Sequence, residues 1–382
     1  MSTKGYSIPF TIEFLLDKLK NADRDVCMSN LKNYELNKLS TGQAFMSEIY
    51  QLKFKWHKEN GLKSVILKIP GFQNPANSND VDEAENFLVY AHERECDFYR
   101  FFSNPPITID LPKFYYGYPF SQKNKDGLMI LEDLSEVACT LGMIPGFNNQ
   151  QVENLLVGLA KIHAASLLDR NWHDILSVEI DQALNFIAAT KEMAQELREI
   201  KPEWFNTILD DMEPIYTMEY YYETMYTGTK FGIPSCVVHS DLWSANVLWK
   251  RDINGAASSQ LQAIIDWQMV YSGNPAADIA RTLCLNTPAK YRHENEDRLL
   301  KFYYEAFNDA MSGEIPFSLE QLKQAYIASF PYVSAVAGFG APMYHRMTSI
   351  VGDPLNPELQ HELLDRVYNF FKDTVEIIKS EK

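Results

Sequence analysis

A chain of 382 residues, 46% apolar and 23% charged, is long enough for two hydrophobic cores and has the balance of a globular protein rather than a disordered or fibrous one. A formal net charge of −16 argues against a nucleic-acid partner, because a phosphate backbone is held by basic faces, and it disfavours an anionic membrane surface. No run of about eighteen apolar residues is present, so no membrane-spanning helix is expected. Glu13 and Asp17 interrupt the first apolar residues, so no signal peptide is expected. Cys27, Cys96, Cys139, Cys236 and Cys284 show no paired spacing and read as reduced thiols in a cytoplasmic protein.

Residues 10–22 (FTIEFLLDKLKNA) have helical spacing and predict a helix on the back of a first lobe. From Tyr34 the period becomes two. Tyr34–Leu39, a turn at Ser40-Thr41-Gly42-Gln43, and Tyr50, Leu52, Phe54 and Trp56 alternating with Gln51, Lys53 and Lys55 predict a strand, a tight turn and a long strand. Ser64–Ile69 follows as a third strand and carries Lys68 near its end, by local sequence an ordinary exposed lysine. After a polar loop, Val81–Phe102 predicts a helix whose buried face is marked by Val89, Tyr90, Phe98, Phe101 and Phe102. Glu95, three residues before Phe98, falls near that stripe, whereas Glu93 and Asp97 share a different line. Lys113–Tyr118 and Gly127–Glu132 add two strands. This order of three strands, a helix and two strands is not the βαβ alternation of a dinucleotide or P-loop fold, and no G-x-x-x-x-G-K-[ST] occurs.

After Ser135 the pattern turns helical. Asn149–Leu168 has apolar spacing at Leu155, Leu156, Leu159 and Ile162, with His163 read as a buried, hydrogen-bonded residue. Residues 178–199 and 203–227 predict further helices. The second holds Tyr216, Tyr220, Tyr221, Tyr222 and Tyr226, several expected in the core and one or two facing an acceptor pocket. Residues 290–380 read as helical, with a break at Gly338-Phe-Gly-Ala-Pro342.

Between these lies CVVHSDLWSANVLWK, a gap with the hairpin signal Asn254-Gly255, and LQAIIDWQMVYSGNPAADI. Asp241, Asn246 and Asp266 stand at the ends of short apolar runs that read as paired strands. Singly, each suits a turn. As an ordered set they suit phosphoryl transfer, which asks for positioning and charge neutralisation. An aspartate such as Asp241 can take the proton of an attacking hydroxyl, and an amide oxygen (Asn246) and a carboxylate (Asp266) are the hard ligands magnesium accepts. The spacing His239-x-Asp-x-x-x-x-Asn246 is that of a kinase catalytic loop.

HSDLWSAN followed by IIDWQ resembles the choline-kinase-like and aminoglycoside-phosphotransferase-like small-molecule kinases, in particular their ecdysteroid-kinase-like (CHK kinase-like) branch. The resemblance spans roughly residues 34–310 and implies an α+β, two-lobed protein-kinase-like fold. Residues 1–134 would form an N-terminal nucleotide-binding lobe of antiparallel sheet plus helix. Residues 135–382 would form a mainly helical catalytic and acceptor-binding lobe. It implies ATP and Mg2+ as cofactors, with Asn246 and Asp266 on the metal and Asp241 as the base. Lys68, held by Glu95, would contact the phosphates, and the turn at Gly42 to Ser47, poor in glycine, would cover them. The carbonyl of Glu132 and the amide of Leu134 would meet adenine. Asp278 would tie the catalytic loop to the helix that follows, although a plain acid at a helix N-terminus also describes it.

Only eleven residues separate Asp266 from Asp278, no Ala-Pro-Glu follows, and Trp243 stands where protein serine/threonine kinases usually carry lysine. These departures point to a small-molecule alcohol, steroid-like or other, as the acceptor. A catalytically silent kinase fold acting as a nucleotide-binding scaffold is the alternative. A hydrolase using paired aspartates is a third, with only Ser240 or Ser244 as nucleophile. The oligomeric state is left open.

Overall fold

The computed structural model describes all residues except 1–7, 23–24, 40–45, 59–61, 72–80, 122–125, 179, 219–224, 226 and 381–382. The chain forms two compact units: Met1–Asn104 with Leu111–Val137, and Pro105–Asp110 with Ala138–Lys382.

The first unit is built on an antiparallel sheet of β1 (Leu31–Lys38), β2 (Ser47–Trp56), β3 (Ser64–Pro70), β4 (Phe114–Tyr118) and β5 (Leu128–Glu132), in the order β1-β2-β3-β5-β4. Successive strand side chains point to opposite faces. Tyr50, Leu52 and Phe54, Val65, Leu67 and Ile69, and Leu128 and Ile130 therefore share one buried face, covered by Leu15, Leu16 and Leu19 of α1 (Ile12–Leu19). Thr11 caps this helix, its Oγ1 accepting from Phe14 N at 3.2 Å. Lys68, one residue on from Leu67, takes the other face. α2 (Val81–Phe101) presents its buried residues, among them Glu95, Phe98 and Tyr99. A Cβ added at Gly117 of β4 would come within 2.9 Å of Cys96 Sγ, so only glycine lets α2 approach this closely.

The second unit is mainly helical. It comprises α3 (Asn149–Leu168), α4 (Ile180–Ile200), α5 (Pro202–Asp211), α6 (Ala276–Asn286), α7 (Ala289–Ala310), α8 (Leu319–Ala328), α9 (Phe330–Tyr344), α10 (Thr348–Val351) and α11 (Pro357–Ser380). Two small antiparallel sheets sit among them. One pairs β7 (Cys236–Val238) with β10 (Tyr271–Gly273). The other runs β6 (Ala138–Cys139), β8 (Val247–Arg251), β9 (Ala257–Ile264). The β8–β9 turn holds Gly255 at φ +82°, and Asp252 Oδ1 accepts from Asn254 N at 2.8 Å and Ala256 N at 2.9 Å. The short segment Pro105–Asp110 joins this unit through Ile264 N, which donates to Asp110 O at 3.0 Å.

Two helical expectations are corrected. The helix expected over 203–227 ends at Asp211, because Pro214 has no N–H for the carbonyl four residues back, and Glu213–Tyr216 form a 3-10 turn instead. Tyr216 is buried; Tyr220, Tyr221, Tyr222 and Tyr226 lie outside the described residues. The break expected at Gly338–Pro342 does not occur, since α9 runs through it. Gly338 admits α4, with Ala194 Cβ 3.1 Å from where a Cβ would stand. Pro342 stands in the last turn, where it removes a single donor. Among the described residues no helix is long and apolar enough to cross a membrane.

The loop before α3 is fastened to α6 and α11. Arg366 Nη1 donates to Met143 O and Leu285 O, each at 2.8 Å, Nη2 donates to Pro145 O, also at 2.8 Å, and Phe147 N donates to Asn286 O at 2.8 Å. Gly146, at φ +94°, leaves no room: an added Cβ would lie 2.2 Å from Asn286 O. Gly146→Ala is expected to destabilise the protein by more than about 2 kcal/mol, from left-handed backbone and overpacking together. Urea unfolding measures it, and a loss below about 0.5 kcal/mol would show that the loop can lift off α6.

Candidate active site

In the first unit, the β3–α2 register makes an ion pair. Lys68 Nζ lies 2.5 Å from Glu95 Oε2, and both side chains are buried. Glu93 is exposed, and Asp97 instead meets Arg100 at 2.6 Å, so the carboxylate near the apolar stripe is the one that reaches the lysine. One turn before Glu95, His92 Nε2 donates to Tyr118 O at 2.8 Å. Burial pushes the His92 imidazole down from 6.5 to about 4, and the nearby Lys68 charge adds to the effect. Ser47 is buried at the start of β2, paired in register with Pro70; Gly42 lies outside the described residues. Glu132 ends β5, its Oε2 accepting from Lys113 N at 3.0 Å, and Leu134 is buried two residues on. Gln51 Nε2 pins the segment between and after them, donating to Asp133 Oδ2 at 2.8 Å and Ser135 Oγ at 2.9 Å.

In the second unit, β7 delivers His239 and Ser240 onto Asp278, the third residue of α6. Asp278 Oδ2 accepts from His239 N at 2.8 Å and Oδ1 from Ser240 N at 2.9 Å. Two successive amides on one buried carboxylate hold Ser240 at φ +74°, a left-handed backbone costly for a residue with a Cβ. His163 of α3 sits behind the same carboxylate, Nε2 at 3.2 Å from Oδ2 and Nδ1 at 2.7 Å from the Tyr303 hydroxyl. His163 is thus a buried, bonded helix residue. His239 is structural in the same way, its Nε2 donating to Ile265 O at 2.9 Å and its ring lying 4.5 Å from that of Trp267.

Asp241 follows the bend. Its side chain is 22% exposed, and its Oδ1 accepts from Arg281 Nη2 at 3.1 Å. Asn246 Nδ2 donates to Asp241 O at 2.8 Å and stands 3.4 Å from Oδ2, which turns its amide oxygen away from Asp241. Asn246 O in turn accepts from Ile265 N at 3.0 Å, beside the Val247–Ile264 pair of β8 and β9. This bond brings Asp266 alongside Asn246. Asp266 has φ +67°, so a left-handed residue stands at each end of the cluster. Hydrogen bonds thus link the loop of Asp241 and Asn246 to the strand end after which Asp266 follows.

Sequence reasoning missed Arg281, Tyr332 and Tyr344. Every residue of α6 is buried, so an arginine in its apolar run, three positions after Asp278, was a signal open to reading. Tyr332, whose hydroxyl bonds Ser240 Oγ, and Tyr344, whose ring stacks on Trp243 at 5.1 Å, come from α9, far along the chain.

Asp278→Ala is expected to cost about 3–5 kcal/mol, because it leaves two buried amides and a histidine without their carboxylate. Denaturant unfolding reads this, and a cost under about 1 kcal/mol would mean that the amides find other acceptors. His92 predicts a pH dependence. Its folded value lies below its unfolded one, so its contribution is complete above about pH 6.5 and fades as pH falls through about 4. The stability gap between wild type and His92→Gln should narrow by about 3 kcal/mol over that window; a gap independent of pH would show that His92 stays solvated.

A family model described as "Uncharacterized oxidoreductase dhs-27", DUF1679, matches residues 28–382. Among curated proteins, the chain is 27% identical over 326 residues to the Caenorhabditis elegans "Uncharacterized kinase-like protein D1044.1", covering 82% of this chain and 84% of that one. It is 24% identical over 347 residues to C. elegans "Uncharacterized oxidoreductase dhs-27", of whose length it spans only 39%. Among solved structures, choline kinase from Cryptosporidium parvum matches 97% of both chains with a TM-score of 0.58 at 13% identity. A putative aminoglycoside phosphotransferase from Ralstonia eutropha covers 95% of this chain and 98% of its own with a TM-score of 0.53 at 11% identity. The fold is therefore the α+β kinase-like fold of choline kinase and aminoglycoside phosphotransferases, and, with nearly its whole length matched, the chain belongs to the DUF1679 family.

Proposed function

We propose that this protein is an ATP- and magnesium-dependent phosphotransferase that phosphorylates a hydroxyl of a small molecule, a steroid-like or other small alcohol. The observation that carries this reading is the gathering of Asp241, Asn246 and Asp266 by loop hydrogen bonds, on a chain with the kinase-like fold and a buried Lys68–Glu95 pair.

Residues 1–134 serve as the nucleotide lobe and 135–382 as the catalytic and acceptor lobe. Lys68, kept extended by Glu95, neutralises phosphate oxygens of ATP; Ser47 and Gly42 belong to the loop over them; Glu132 and Leu134 offer backbone groups to adenine. Asp241 orients the acceptor hydroxyl and takes its proton as the oxygen attacks the terminal phosphorus and ADP departs. Asn246 Oδ1 and the Asp266 carboxylate would hold magnesium, which supplies charge neutralisation on the phosphates when bound. Five free thiols suit a cytoplasmic setting.

Asp241→Asn should leave stabilisation by Mg-ATP unchanged while turnover falls at least about a hundredfold. The measurement is ADP release from Mg-ATP with pooled small-molecule extracts, with Asp266→Ala as the blank. Unchanged turnover in Asp241→Asn removes Asp241 as the base. Stabilisation by Mg-ATP with no turnover favours a nucleotide-binding scaffold.

A further inference from the structure

Three arginines of the second unit are almost wholly buried, and they are not alike. Arg366 gives its donors to Met143 O, Leu285 O, Pro145 O and Glu362. Arg292 meets Asp373, Glu296 and His293 and lies over the rings of Phe330 and Phe370. Arg281, 2% exposed, has its Nη2 on Asp241 Oδ1, while among the described residues Nε and Nη1 meet no acceptor of hydrogen-bond geometry, with the Tyr344 hydroxyl nearby. A guanidinium taken out of water with two donors unspent is a poor stabiliser of a fold. An apolar chain of similar length would fill the same space in α6 without that penalty. What an apolar chain could not do there is hold one oxygen of Asp241.

We infer that Arg281 is a positioning residue for the Asp241 carboxylate. This rests on the phosphotransferase reading of the site. The guanidinium cannot swing, because every residue of α6 is buried. It occupies Oδ1, and Oδ2 remains as the oxygen that takes the proton from the acceptor, with Asn246 Nδ2 at 3.4 Å as a lateral guide. Asp278 and Arg281 stand three apart on the same helix face. One helix thus fixes the backbone of the loop through Asp278 and its carboxylate through Arg281. Tyr344 borders the pair from α9, its phenol pushed up by burial and by the Asp241 charge, so it stays protonated beside the carboxylate.

The test is a double-mutant cycle of Arg281→Met and Asp241→Asn on the full chain. It reads ADP release from Mg-ATP, with water as basal acceptor and pooled small-molecule extract as the source of alcohols. Arg281→Met alone should lower kcat about thirtyfold or more while KM for Mg-ATP stays within about twofold. In the Asp241→Asn background the same change should alter the rate by less than about threefold, since no carboxylate is left to position. Arg281→Lys, which keeps the charge and loses the fork, should recover part of the rate; it replaces Arg281→Met throughout the cycle if that variant does not fold. An equal loss in both backgrounds, or an unchanged kcat in the single variant, overturns the inference while wild-type turnover leaves the phosphotransferase reading standing. If wild type releases no ADP above the Asp266→Ala blank, that reading has itself failed, and the positioning role falls with it.

Discussion

The buried carboxylate of Asp278 orders the centre of the chain. It accepts two successive backbone amides, His239 N and Ser240 N, and lies against the His163 imidazole. A charge removed from water is tolerated only where donors surround it, and charge-assisted bonds are the strong ones. Here they offset both the burial of the carboxylate and the left-handed turn at Ser240 that aims Asp241. Through His163 and Tyr303 the same group couples α3 to α7, so the loop is fastened to three helices at once. Arg366 and Gly146, in turn, hold the far end of the helix that bears it.

The name oxidoreductase, attached to a longer relative and to the family model, concerns a protein of which this chain spans 39%. A dinucleotide fold rests on a parallel sheet with a glycine-rich first turn. The strand pairs described here are antiparallel, and the chain has the kinase-like order of three strands, a helix and two strands in its first unit. A longer protein can carry a second activity on a separate domain, outside the part that this chain matches.

Much of this was legible in the sequence because short-range periodicity governs it. Alternation placed β2 and β3; helical spacing separated Glu95 from Glu93; the loop motif singled out Asp241, Asn246 and Asp266; but Lys68, by local sequence an ordinary exposed lysine, is buried against Glu95. What escaped depended on long-range packing. Pro342 looked like a helix breaker, yet in the last turn of a helix packed around Gly338 it is tolerated. Pro214, which did end a helix, passed unremarked among tyrosines. Arg281 looked like one cation among thirty-five Lys and Arg, and only burial shows that it has nowhere to go but Asp241. Tyr332 and Tyr344 reach the loop across some ninety or more positions of chain, a separation no local pattern encodes.

The segment Pro105–Asp110 lies in sequence inside the first unit and in space inside the second. Its Asp110 carbonyl takes the amide of Ile264, two residues before Asp266. The two units are therefore interleaved rather than strung in tandem. A clean cut anywhere after β5 would yield a second unit missing the carbonyl that meets the end of β9. Separating either unit from the other therefore takes breaks on both sides of Pro105–Asp110 rather than a single truncation.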